Sequence, residues 1–78
     1  MMHMKEEIKK GVLEVLADLL EIKKSLIGQS SLNFDRNLVN NNTAISVVEM
    51  IISILDDKYK LRREDFEKAI RIIQIRQP

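Results

Sequence analysis

Residues 8–27, IKKGVLEVLADLLEIKKSLI, decide the fold class of this chain. Ile8, Val12, Val15, Leu19, Ile22 and Leu26 alternate at spacings of four and three, a heptad seam that a helix places on one line. Leu13, Leu16, Leu20 and Ile27 widen the apolar arc to about 160°, more than a two-stranded coiled coil uses. This helix is therefore expected to pack against two neighbours. Glu6 and Glu7 stand near the positive end of its dipole and Lys23 and Lys24 near the negative end, while Gly28 offers a left-handed cap. The pattern predicts helix over about residues 5–27.

Further along, AISVVEMIISILDDKYK (residues 44–60) is apolar on every side but one, because Ser46, Glu49, Ser53 and Asp56 recur at helical spacing. With Thr43 as N-cap this predicts a helix over about 43–58, central in the bundle, with Ile51 and Leu55 in the core. A third helix, about 62–77, is expected to open at Arg62, with Leu61 and Phe66 as a staple and Glu64 and Asp65 as favourable first-turn charge. Phe66, Ala69, Ile70 and Ile73 form its inward stripe, and Ile72 and Ile75 fall outside it. The connection GQSSLNFDRNLVNNN (residues 28–42) has two readings. It is either a long functional loop or a fourth short helix over 32–39 capped by Ser31, with Phe34 and Leu38 facing the core.

Seventy-eight residues, 9.1 kDa, 45% hydrophobic and 32% charged, describe one globular domain spanning residues 1–78. With no cysteine, disulfide scaffolds, thiolate metal sites and cysteine nucleophiles are excluded. The single histidine sits in Met1–His3, which reads as vector-derived, since His3-Met4 is what a common cloning site encodes. No signal-peptide pattern and no apolar run of about 18 residues occurs, so a cytoplasmic protein is expected. So small a domain buries little surface, which leaves regular helix packing or a second copy as the sources of stability.

Candidate chemistry is sparse. Asp56-Asp57 and Glu64-Asp65 are adjacent pairs whose side chains point about 100° apart on a helix, so neither is an acid dyad. Neither matches a calcium loop, and no glycine-rich phosphate cradle exists. No enzyme activity, no cofactor and no metal are expected. Glu49 stands in the middle of an apolar helix, and its stripe with Ser46, Ser53 and Asp56 either simply faces water or lies at a dimer seam or receives a partner's Lys or Arg. Residues 58–78 carry seven basic side chains against three acidic ones, and Lys58, Lys60, Arg62 and Arg63 cluster beside Tyr59. Such a cluster can contact phosphates, although no reading element accompanies it.

These features predict an all-α bundle of three main helices, completed by dimerisation, that acts by binding and not by chemistry. A small bacterial or phage accessory or regulatory protein is the expected setting. Leu32, Phe34, Arg36 and Leu38, with Ile72 and Ile75, are the candidate protein-binding residues, because aromatic and arginine anchors dominate interfaces and Ile72 and Ile75 lie off the main stripe. The expected partners are a second copy and another protein. The alternative is a nucleic-acid-binding regulator using Lys58, Lys60, Arg62 and Arg63.

Overall fold

The computed structural model describes residues 5–32 and 36–77, and the side-chain surroundings of residues 5–28 and 42–77. The described chain forms α1 (Glu6–Leu32), α2 (Arg36–Tyr59) and α3 (Arg63–Arg76), with no strand among the described residues. The short connections set the directions. α2 returns antiparallel to α1, and α3 runs parallel to α1, since its start lies by Lys9 and its end by Asp18 and Glu21.

The 28–42 connection is corrected. α1 continues through Gly28 to Leu32 and α2 opens at Arg36, so neither the long loop nor the separate fourth helix forms. Gly28 does not adopt a left-handed conformation and Thr43 lies inside α2. Propagating a helix adds a hydrogen bond for each residue fixed, so one glycine, costing roughly 1 kcal/mol, slows it without stopping it. The asparagines are carried into α2 by the same cooperativity. Ser46 Oγ donates to the Asn42 carbonyl at 3.0 Å, a back-bond one turn earlier that requires Asn42 to be helical.

The core forms where α1 meets α3. Leu16, Ala17, Ala69 and Ile73 are buried together, with Leu20, Ile52, Leu55, Leu61, Phe66 and Ile72 packed on them. Ala17 and Ala69 have no side chain beyond Cβ, which lets these two helices approach closely. Val12, Leu19 and Val48 are buried as well. α1 pairs with both α2 and α3, while among the described residues α2 and α3 do not pair with each other. The central helix is therefore α1, as the width of its apolar arc implied, and not α2. Ile51, expected in the core, is 42% exposed, and Leu55 is half-buried. An apolar side chain goes inside only if a neighbour stands on that side, and among the described residues α2 pairs with α1 alone.

The turn from α2 to α3 is specified by backbone bonds. Lys60 takes φ 52°, and the Leu61 N–H donates to the Asp56 carbonyl at 3.2 Å, the 6→1 bond of a Schellman ending. Asp65, three residues into α3, accepts the Arg62 backbone N–H at 2.8 Å on Oδ2. Leu61 and Phe66, the two residues expected as a staple, each pack on the buried cluster. No helix among the described residues is long and apolar enough to cross a membrane.

Candidate functional site

α1 and α2 present one continuous apolar face to solvent. Lys23 Nζ lies 3.9 Å from Glu49 Oε1, which fixes one edge of the α1–α2 seam. One residue back from Lys23, about 100° round the helix, stands Ile22, and two residues on from Glu49, about 200° round, stands Ile51. Both lie at the opposite edge. Because the helices are antiparallel, these two edges emerge on the same side. Ile8, Val15 and Ile22 continue that side along α1 at intervals of seven, and Val47, Ile51 and Ile54 continue it along α2 at intervals of four and three, with Met50 at the rim. All seven side chains are between 42% and 61% exposed. α3 packs on the other side of α1.

The heptad seam read from the sequence thus splits in two. Val12 and Leu19 are buried under α2 and Leu26 is half-buried, whereas Ile8, Val15 and Ile22 line the open face. Sequence periodicity identified all six residues but not the division between them, which depends on there being no helix on the second side. Val47, Met50 and Ile54 belong to a helix read as central and carry no polar signal to mark them as surface.

The candidate binding residues are placed as follows. Ile75 is 83% exposed on α3. Ile72 is half-buried, packs on the core and lines an open cleft of about 460 Å³ between α1 and α3, together with Lys9, Leu13, Lys68 and Arg76. Part of its surface is thus committed to the fold. Leu32, Arg36 and Leu38 lie at the facing ends of α1 and α2, and their side chains, like the whole of Phe34, lie outside the described residues. A second apolar groove, about 380 Å³, opens between Leu20 and Lys24 of α1 and Phe66, Ile70, Ile73, Gln74 and Gln77 along α3 and just past its end.

Glu49 is exposed, as the simpler of its two readings expects, with Lys23 of its own chain 3.9 Å away. The basic turn is partly neutralised where it stands: Lys60 Nζ is 3.6 Å from Asp57 and Arg63 Nε is 3.4 Å from Glu67, while Lys58 lies over the Tyr59 ring at 5.5 Å. Its four side chains are exposed, spread over a helix end and a tight turn.

Two charged sites were not singled out by the sequence. Asp65 is 5% exposed, with Lys9 Nζ at 3.9 Å from Oδ1. Its spacing of three from the cap residue was the available signal, but an acidic residue in a first turn reads equally well as a solvated dipole charge. Arg76 Nη1 donates to Asp18 Oδ1 at 2.6 Å and to Glu21 Oε1 at 3.0 Å, and these two hydrogen bonds hold the guanidinium pKa above its ordinary value. That fork fastens the end of α3 to the middle of α1. Among the described residues no group of three or more His, Cys, Asp or Glu side chains could hold a metal ion. Comparison with protein-family models, with curated proteins and with solved structures gives no match.

Proposed function

We propose that this chain is a non-enzymatic interaction module, a small cytoplasmic accessory or regulatory protein of a bacterium or phage that self-associates and holds another protein by occupancy of a surface. The observation that supports this reading is the apolar face of Ile8, Val15, Ile22, Val47, Met50, Ile51 and Ile54. A monomer seldom leaves so many large aliphatic side chains contiguous in water, and such patches mark interfaces. The second apolar groove, along Leu20, Phe66 and Ile70, and the exposed Ile75 add a separate surface for a protein partner.

Light scattering after size exclusion tests the self-association at micromolar concentration. A mass of twice 9.1 kDa is expected. A mass of 9.1 kDa throughout a dilution series would remove self-association from the proposal.

A further inference from the structure

We infer that the occupant of the α1/α2 face is a second copy of this chain, seated face to face about a two-fold axis so that two helical hairpins close into a four-helix layer pair. This deepens the interaction-module reading and rests on it. The first support is shape. The molecule measures 45 × 30 × 17 Å with a radius of gyration of 14.1 Å, against about 11.5 Å for a compact domain of this length. Its accessible surface is 6149 Å², where a compact monomer of this mass would expose about 4,900 Å². A second copy on the open face would remove part of this excess, and roughly 800 Å² per partner is what a stable interface of standard size buries.

The second support is architecture. A domain needs two packed layers around its apolar face, and α3 supplies the second layer on one side of α1 only. The third is the chemistry of the face. Its described side chains are aliphatic except for Lys58, which continues the α2 row one turn beyond Ile54, with Asp18 at the α1 flank. A face of seven aliphatic side chains and one lysine is matched by apolar surface more than by charge. It does satisfy the requirement of a two-fold interface, in which one patch must complement itself. Ile8 to Ile22 spans about 21 Å of helix, enough for three turns of the second copy to lie along it.

The double variant Ile22→Glu/Ile54→Glu places four carboxylates in the proposed seam and none in the core, so helicity by circular dichroism should persist while the mass by light scattering falls to 9.1 kDa. Ile75→Glu, on α3, should leave the dimer intact. A dimer that survives the double variant but is broken by Ile75→Glu would overturn the inference and leave self-association standing. A parent that is monomeric at every concentration would overturn both. Should the double variant unfold, cross-linking decides in the parent background, because the natural chain has no cysteine. With a short bismaleimide, Met50→Cys is expected to link copies and Gln74→Cys is not, and the reverse pattern would contradict the α1/α2 seam.

Discussion

The two sides of α1 have nearly the same amino-acid character and opposite fates. On one side Leu16 and Ala17 have no exposed surface, covered by Ala69 and Ile73 and fastened by the Arg76 fork to Asp18 and Glu21. On the other, Ile8, Val15 and Ile22 keep about half their surface in water beside Val47, Ile51 and Ile54. Hydrophobicity does not separate the two, since isoleucine is on the open side and alanine on the closed one. What separates them is the presence of a neighbouring helix.

A second contrast lies along the molecule. α3 ends beside Asp18 and Glu21 and reaches Lys24 with Gln77, whereas α1 continues about two more turns to Leu32. The half of the α1–α2 hairpin near the α2–α3 turn is thus a three-helix unit, and the other half is a two-helix arm. Val48 is the buried residue of α2 among those described.

The largest effect that would break the first comparison is at Leu16. Leu16→Ala removes the one large side chain that is fully buried among the described residues, and a loss of about 2–5 kcal/mol in urea unfolding is expected. That is a large share of the stability of so small a domain. The matching change on the open side, Ile51→Ala, measured at concentrations low enough for monomer, should shift stability by no more than about 0.5 kcal/mol. Equal losses at the two sites would mean that the closed and open sides of the molecule are not distinct.

Asp65→Ala is expected to cost about 1 kcal/mol, because the Arg62 N–H loses its acceptor and the start of α3 loses a favourable charge. The loss is held down because a buried carboxylate is itself costly to desolvate. Asp65→Asn should recover part of it, and chemical denaturation of the three proteins side by side measures both. The smallest effect is a gain. Lys60 occupies the left-handed position of the α2 ending, where a side chain is strained, so Lys60→Gly should stabilise by about 0.5–1 kcal/mol. Loss of the ion pair with Asp57 does not reverse this, since both side chains are largely in solvent.

Much of this arrangement was legible in the residues. The heptad seam of α1, the core packing of Leu61 and Phe66 and the three-helix plan follow from spacing alone, because the period of an α-helix is fixed. The ends of α1 and α2 were less legible. Gly28 and Asn40–Asn42 have low helix propensity, and a local rule placed breaks there, although cooperative propagation carries both helices to within four residues of each other. The open face was visible as apolar excess, but which residues form it was not. Ile51 looks central in a sequence and stands at a surface in the fold, since periodicity reports which residues share a side and not what covers it. Asp65 was hidden for a related reason: its burial depends on Lys9 and the packing of α3 on α1, contacts that join residues far apart in the chain.

The most direct test of the claim that a second copy covers the open side is the thermal unfolding midpoint of the parent over a hundredfold dilution series, with Ile22→Glu/Ile54→Glu run alongside. Burial against a second copy stabilises the folded state by mass action, so the parent midpoint should fall steadily on dilution and meet that of the double variant, whose own midpoint stays constant. A parent midpoint that does not move across the series would contradict the claim.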